Sequence, residues 1–296
     1  MDDTDIAVVR AFNRTVTQRT GVLGESYLSQ LPLGEARVLW ETGDRGCDVR
    51  TLRARLGLDS GYLSRLLRSL EGKGLVRVAG RQDDRRVRHV SLTKAGRLQH
   101  GQLDRRSDAL AKSMLDGLPA DSRDRLVASM RDVTRLLTIG AVDVAVVDPE
   151  AGDARWCLTE YFAELDRRFG SGFDPAASLP ADAADLRAPA GLFVLARLHG
   201  QPVACGALKF HGPAPTELKR MWVAPEARGL GLGRRILAEL EQQAAAHGST
   251  VVRLETNRSL AEAIAMYRTA GYREVAPFND ERYADHWFEK QLTPPV

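Results

Sequence analysis

The sequence predicts two domains, a mainly helical N-terminal domain and a C-terminal α/β domain with a mixed central sheet. The 296 residues are enough for two hydrophobic cores. Helical patterns dominate residues 5–74, and two short strand patterns follow them. Strands and helices alternate in the second half, where a glycine-rich loop joins a strand to a helix within 217–240. We place the boundary at 141/142, which gives domains of residues 1–141 and 142–296.

The composition is that of a globular protein that works in solution. Hydrophobic residues make up 44% of the chain and charged residues 27%. No apolar run reaches the roughly 18–20 residues that span a bilayer, and no signal peptide is evident. Cys47, Cys157 and Cys205 are far apart and lack a metal-binding spacing. We therefore expect a cytoplasmic protein with no membrane segment and no metal site.

The net charge of +3 conceals an uneven distribution. Residues 1–140 contain 25 Lys/Arg and 18 Asp/Glu, whereas residues 141–296 contain 17 and 21. Residues 60–100 alone contain ten basic and three acidic side chains. Such a segment is typical of a protein that binds a polyanion, although a solvated basic face is the alternative.

A helix-turn-helix pattern is visible in the N-terminal domain. A first helix opens near residues 6–13, and patterns at 34–42 and 49–56 each end at a glycine. A fourth helix begins at Asp59 or Ser60, either of which can cap it, and its leucines recur at helical spacing.

A β-hairpin follows the fourth helix and forms a wing. Residues 75–78 and 87–92 have strand patterns, and the polar segment 81–86 between them is turn-like. This stretch resembles the MarR family of transcriptional regulators, and the resemblance covers roughly residues 5–140. The matching segments are 70–76 (Leu-Glu-Gly-Lys-Gly-Leu-Val), 83–86 (Asp-Asp-Arg-Arg) and 90–96 (Val-Ser-Leu-Thr-Lys-Ala-Gly).

The MarR resemblance implies a winged helix-turn-helix fold with double-stranded DNA as its partner. The wing would place Arg86 in the minor groove, with Asp84 supporting it and Arg85 nearby. The fourth helix would enter the major groove and present Ser60, Tyr62, Ser64 and Arg65 to the DNA. Arg65 could read a guanine edge or hold a phosphate, and Tyr62 could instead be a packing residue.

Two further helices are predicted in residues 97–139, separated near Leu118-Pro119. An apolar stripe runs from Leu126 to Leu137 on the second. In the MarR family the terminal helices build a homodimer, so the resemblance implies a dimer formed through the N-terminal domain. The stripe alone shows only that something covers it, and an intramolecular partner is the alternative.

Strands and helices alternate in the C-terminal half. Residues 142–147 form a first strand or a linker, and a capping-box pattern at Ser259 and Glu262 predicts the start of a late helix. The other predicted elements are helices at 156–169 and 234–247 and strands at 192–198, 202–209, 217–223 and 251–256.

The glycine-rich loop suits a pyrophosphate. Glycines let backbone N–H groups approach a ligand, and a helix N-terminus adds unpaired donors. The spacing fits neither a dinucleotide motif nor a P-loop. Arg228-x-x-Gly231-x-Gly233 resembles the signature of the GNAT N-acetyltransferase superfamily, in which this loop holds the pyrophosphate of acetyl-CoA. The resemblance implies that acetyl-CoA contacts Arg228, Gly229, Leu230, Gly231, Leu232, Gly233 and Arg234, and a glycine turn without a ligand is the alternative.

A second segment strengthens the GNAT resemblance, which covers roughly residues 142–292. Residues 263–272 (Ala-Ile-Ala-Met-Tyr-Arg-Thr-Ala-Gly-Tyr) resemble the family's Leu-Tyr-x-x-x-Gly-Phe/Tyr segment. The resemblance implies that Tyr267 protonates the departing thiolate, with a packing tyrosine as the alternative. Further acetyl-CoA contacts are implied for Asn257, which could instead form a turn, for Arg268, and for the backbones of Met221 and Val223.

An amine must lose a proton before it attacks a thioester. Glu217 is the candidate base, because some histone-type GNAT members have a catalytic glutamate at this distance before the loop arginine. An ordinary strand-end glutamate is the alternative, and burial would have to raise its pKa. The acceptor site could be lined by Tyr161, Phe162, Glu164, Asn279, Tyr283, His286, Trp287 and Glu289.

The combined patterns predict a MarR-like DNA-binding dimer fused to a GNAT acetyltransferase. The enzyme would acetylate an amine of a small molecule or a protein lysine by direct transfer from acetyl-CoA. In a second hypothesis the C-terminal domain binds acetyl-CoA without efficient turnover and acts as a sensor that alters DNA binding.

Overall fold

The computed structural model describes residues 2–20, 31–80, 87–170 and 172–292. The chain forms two compact units, Met1–Ser129 and Met130–Val296. The second sheet starts at Val142, and we keep 141/142 as the proposed domain boundary. Within the described ranges, no helix is long and apolar enough to cross a membrane.

The N-terminal unit is mainly helical, and a β-hairpin follows its helix-turn-helix, as predicted. Its three strands form an antiparallel sheet in the order β1-β3-β2. The predicted turn 81–86 lies outside the described residues. The elements are α1 (Asp3–Thr20), α2 (Leu33–Thr42), β1 (Cys47–Asp48), α3 (Val49–Leu56), α4 (Ser60–Gly72), β2 (Val76–Gly80), β3 (Arg88–Leu92) and α5 (Lys94–Leu115), and α6 (Ala120–Gly140) follows them.

Leucines of α2, α3 and α4 form the core of this unit. Leu39, Leu52 and Leu70 are fully buried, so the opposite face of α4 is left to solvent. Of the two predicted caps of α4, Asp59 is the one found, and its side chain accepts a hydrogen bond from the backbone N–H of Tyr62 at 2.8 Å. By contrast, neither α1 nor α6 buries a residue.

The C-terminal unit is built on a mixed seven-stranded sheet, as predicted. The strand order is β4-β5-β6-β7-β8-β10-β9, and all neighbours are antiparallel except β7 and β8. The strands are β4 (Val142–Val147), β5 (Gly191–Leu198), β6 (Gln201–His211), β7 (Ala214–Val223), β8 (Val251–Thr256), β9 (Arg273–Val275) and β10 (His286–Gln291). The helices are α7 (Gly152–Arg168), α8 (Leu232–Ala246) and α9 (Ala261–Thr269).

The parallel strands β7 and β8 pair over a very short length. Thr216 lies opposite Val252 and Glu217 opposite Arg253, and no pair follows toward the carboxyl ends. The two strands therefore separate beyond Glu217, and a cleft opens between them.

The start of α9 corrects the sequence prediction. The helix begins at Ala261 after Leu260, and no side chain caps it. The Oδ1 atom of Asn257 accepts a hydrogen bond from the backbone N–H of Ser259 at 2.9 Å. The capping box predicted at Ser259 and Glu262 is therefore wrong, because this turn is organised by Asn257 instead.

Candidate active site

Two adjoining cavities open where β7 and β8 separate. One, of about 390 Å³, lies under the 228–234 loop and is called the donor cavity here. The other, of about 90 Å³, lies beside the aromatic side chains of α7 and its following loop and is called the acceptor cavity. Tyr161, Met221 and Tyr267 line both. A group held in one cavity can therefore reach the other beside Tyr267.

The loop at the donor cavity has the geometry of an anion site. Gly229 and Gly231 have φ of 78° and 86°, in the left-handed region that glycine adopts at little cost. Helix α8 begins at Leu232 without a side-chain cap. Within the described chain, the amides of residues 229–234 donate no backbone hydrogen bond. These donors, at the positive end of a helix, suit a pyrophosphate.

The loop arginine is held by a buried carboxylate. Arg228 Nη2 donates to Glu164 Oε2, and Arg228 Nε donates to the carbonyl of Val223 at 3.1 Å. The same Glu164 oxygen accepts from Trp222 Nε1 at 2.9 Å. Burial opposes ionisation of Glu164, but the hydrogen bonds from Arg228 and Trp222 outweigh it and keep the pKa of Glu164 below its ordinary value. Arg228 thus fixes the loop to α7, and Glu164 lies at the donor cavity.

The remaining predicted acetyl-CoA residues divide into two groups. Arg234 is exposed at the mouth of the donor cavity, which Met221, Val223 and Gly233 also line. Arg268 instead pairs with Glu274 at 2.9 Å and lines neither cavity.

Asn257 lies at the acceptor cavity rather than at the donor cavity. Its Nδ2 donates to the carbonyl of Tyr283 at 2.7 Å, and its Oδ1 holds the turn before α9. Both ends of the amide are used within the chain, so the structure favours the turn-forming alternative for Asn257.

Tyr267 is buried at the junction of the cavities. Its hydroxyl lies 3.7 Å from the thioether sulfur of Met221, a weak acceptor. Burial, with contributions from Tyr161 and Glu255, raises the pKa of Tyr267 well above its ordinary value. Like an ordinary tyrosine, the phenol is protonated at neutral pH, and its hydroxyl can donate a hydrogen bond to an anion beside it.

Glu217 lines neither cavity and lies between the cations Lys219 and Arg253. It pairs with Arg253 at 3.0 Å, Lys219 at 3.1 Å and His211 at 3.5 Å. Burial opposes its ionisation, but the charge and hydrogen bond of Lys219 and the hydrogen bond of Arg253 keep the pKa of Glu217 below its ordinary value. The raised pKa that a base at this position would need is absent.

Glu255 is the carboxylate of β8 that does line the acceptor cavity. It accepts a hydrogen bond from Lys219 Nζ, and Asn279 Nδ2 lies 3.4 Å from its Oε2. Trp287 Nε1 donates to Asn279 Oδ1 at 2.8 Å. Asn279 and Trp287, both predicted near the acceptor, therefore act by supporting Glu255.

Aromatic rings form one wall of the acceptor cavity. Phe173 is stacked on Phe162 with ring centres 5.8 Å apart, and its ring centre lies 4.8 Å from that of Tyr283. Burial raises the pKa of the nearby Tyr161 to about 12, with the charge of Arg220 opposing the rise. Phe173 and Arg220 were missed by sequence reasoning.

The other acceptor candidates have partners elsewhere. His286 pairs with Glu274 at 2.6 Å and lines neither cavity. Glu289 is half-buried on β10, opposite Arg253 and Arg273, and likewise lines neither cavity. In the described part of the chain, no group of three His, Cys, Asp or Glu side chains could hold a metal ion.

The predicted DNA-contacting residues of α4 share its outer face. Ser60, Tyr62 and Arg65 are exposed and Ser64 is half-buried. The guanidinium of Arg65 lies 5.6 Å from the centre of the Tyr62 ring. Arg85 and Arg86 lie outside the described residues.

Known proteins match each half of the chain. The MarR family model matches residues 29–87, and the acetyltransferase (GNAT) family model matches residues 159–272. An IAA acetyltransferase of Azospirillum brasilense is 36% identical over 122 residues, which are 41% of this chain and 80% of that protein. The HTH-type transcriptional regulator TtmR of Methylorubrum extorquens (strain PA1) is 39% identical over 98 residues, which are 32% of this chain and 48% of that regulator.

A GNAT-family acetyltransferase from Staphylococcus aureus MU50 aligns in structure with a TM-score of 0.45 and 18% identity, over 52% of this chain and 100% of that one. The sequence matches establish the class. The chain belongs to the GNAT family and is an N-acetyltransferase, and its residues 29–87 match the MarR family model.

Proposed function

We propose that the protein is a DNA-binding regulator that also transfers the acetyl group of acetyl-CoA directly to an amine. The observation that carries the enzymatic part is the position of Tyr267, a protonated phenol at the junction of the donor and acceptor cavities. A thioester held at the loop and an amine held in the acceptor cavity would meet beside it.

The residues divide the reaction between them. The amides of residues 229–234 and the exposed Arg234 bind the pyrophosphate of acetyl-CoA, which supplies the activated acetyl group. Glu255 accepts a proton from the amine, directly or through water, so that nitrogen can attack the carbonyl carbon. Tyr267 donates its proton as the C–S bond breaks, which avoids release of a free thiolate. Among the residues that the structure describes, no cysteine lines either cavity, so we favour direct transfer over a covalent intermediate.

The DNA-binding part of the proposal is supported by α4. Its leucines are buried while Ser60, Tyr62 and Arg65 are exposed, as a recognition helix requires. Helix α1 supports a dimer, because its apolar Val8 and Phe12 are 64% and 46% exposed. Arg85 and Arg86 would add minor-groove contacts.

Thiol release from acetyl-CoA, measured with and without an amine panel, tests the enzymatic part. We expect release that depends on the amine and no burst in its absence, because a direct transfer needs both substrates bound. Tight acetyl-CoA binding without amine-dependent release would instead favour the sensor hypothesis. Loss of gel-shifted DNA in Arg65→Ala tests the regulator part, with Arg273→Ala, an exposed arginine of β9, as the control.

A further inference from the structure

The charged side chains of the acceptor cavity are not all neutralised. Among the described residues that line it, they are Lys219, Arg220, Glu255 and Glu281. Lys219 lies between two glutamates. Glu281 accepts hydrogen bonds from Ser178 Oγ at 2.9 Å and from the backbone N–H of Leu179 at 2.8 Å. Arg220 has no carboxylate partner among the described residues, and its side chain interacts with Tyr161.

The Arg220 guanidinium has an aromatic neighbour but no acidic one. Its Cζ lies 4.9 Å from the centre of the Phe162 ring, and it makes no ion pair with any carboxylate in the described residues. A guanidinium offers five N–H donors in a planar fork that matches a carboxylate. This half-buried cation therefore has donors left for a ligand.

A β-bulge directs Arg220 into the cavity. Cys205 of β6 lies opposite Trp222 and Ala207 lies opposite Lys219. Two residues of β7, Arg220 and Met221, therefore lie opposite the single residue 206 of β6. Arg220 has φ of 57°, which is uncommon for an arginine. Residues 218–221 all line this cavity. Side chains of a regular strand alternate between faces, and the bulge interrupts that alternation at Arg220 and Met221.

We propose that the acetyl acceptor is a small amino acid whose own carboxylate is bound by Arg220. The proposal rests on the acetyl transfer proposed above. The two cations and two anions of the lining balance, which suits a zwitterion, whereas a polycationic acceptor would need an excess of acid. The rings of Phe169, Phe173 and Tyr283, which line the cavity, would contact the apolar part of the amino acid.

The carboxylate anchors the substrate and takes no part in the bond changes. The amine nitrogen forms the new C–N bond to the acetyl carbon, and the thioester C–S bond breaks. The ammonium group loses one proton through Glu255 before the attack and a second as the tetrahedral adduct collapses. The sulfur receives a proton from Tyr267, which takes one back from the solvent, so one proton is released overall. The products are an N-acetylamino acid and the free thiol.

Matched acceptors that differ only in the carboxylate test the proposal. Full-length protein is assayed for thiol release with L-alanine, L-leucine and L-phenylalanine, with their amides, and with the corresponding decarboxylated amines. We expect kcat/KM for at least one amino acid to exceed that of its amide and its amine by tenfold or more. In Arg220→Gln that preference should fall to about twofold, and Arg220→Lys should recover part of it.

Two controls keep a folding defect apart from a loss of recognition. Arg220→Gln should retain acetyl-CoA binding by calorimetry and the wild-type melting temperature, and Arg273→Gln should keep the preference.

Equal or better turnover of the amides and amines, or a preference that survives in Arg220→Gln, would overturn the amino acid proposal and leave acetyl transfer intact. A wild type that binds acetyl-CoA but acetylates no amine in the panel would overturn both. Turnover of a dipeptide ester but not of free amino acids would assign the site to a peptide instead and overturn this proposal.

Discussion

The Arg228 guanidinium lies on the carboxylate of Glu164, and the same carboxylate oxygen accepts a hydrogen bond from Trp222. The arginine of the glycine-loop motif, although 43% exposed, is therefore paired with a carboxylate rather than free in the donor cavity. Its Nε also holds the carbonyl of Val223, at the end of the strand before the loop. We infer that Arg228 fixes the shape of the loop, while backbone amides and Arg234 meet the phosphates.

Glu164→Gln should loosen the loop. The substitution removes the charge that Arg228 and Trp222 stabilise, so we expect a loss of about 1–3 kcal/mol in the free energy of unfolding at pH 7 and weaker binding of acetyl-CoA. Denaturant titration and calorimetry measure the two effects.

The pH dependence of that loss follows from the lowered pKa of Glu164. A carboxyl whose pKa is lower in the folded state contributes stability above its ordinary pKa, near 4.5, and loses it as the pH falls through the folded value. The stability difference between wild type and Glu164→Gln should therefore be full at pH 7 and shrink below about pH 4.5. A difference that grows in acid would contradict this role.

Arg234→Ala should weaken acetyl-CoA binding by about fivefold, because an exposed cation contributes on the order of 1 kcal/mol to a phosphate contact. The affinity should also become less sensitive to salt. Arg234→Lys is the control and should keep most of the affinity. Unchanged affinity and salt dependence in Arg234→Ala would place the phosphates away from this side chain.

Glu255→Gln should lower kcat by about a hundredfold, in the range that general base catalysis contributes. Glu217→Gln should lower the melting temperature clearly and kcat only slightly. Glu217 is buried between Lys219 and Arg253 and lines neither cavity. Single-turnover rates with saturating acetyl-CoA, compared with melting temperatures, separate the two. A larger rate loss in Glu217→Gln than in Glu255→Gln would return the base to Glu217.

Two glycines of α5 should respond in opposite ways to alanine. A Cβ on Gly96 would lie 1.9 Å from the carbonyl oxygen of Leu75, whereas on Gly101 it would lie 3.6 Å from the flexible end of Arg105. We expect Gly96→Ala to destabilise the chain by about 1–3 kcal/mol. Gly101→Ala should stabilise it by about 0.5–1 kcal/mol. Denaturant titration of both variants is the measurement, and equal effects would contradict the close packing of α5 on the hairpin.

Local sequence patterns were sufficient to predict features that depend on a residue and its close neighbours in the chain. The leucines of α4 recur at helical spacing, and glycines mark the turn that leads into α8. Both features were predicted because period and backbone freedom are properties of the sequence itself.

The missed features depend on pairing between distant segments. Arg220 enters the acceptor cavity because of a register shift between β6 and β7, and no local pattern marks that shift. Glu164 meets Arg228 across 64 positions. Glu217 was selected by its distance along the chain from Arg228, but its pairing opposite Arg253 places it in a cluster of cations.

The most direct test of the two-cavity account is Tyr267→Phe, assayed for acetyl-CoA affinity and for turnover of the best amine. Removing one hydroxyl preserves the packing of the ring, so we predict an unchanged dissociation constant and a kcat lower by about a hundredfold. A variant that turns over at the wild-type rate would show that Tyr267 only packs, and would contradict the central claim.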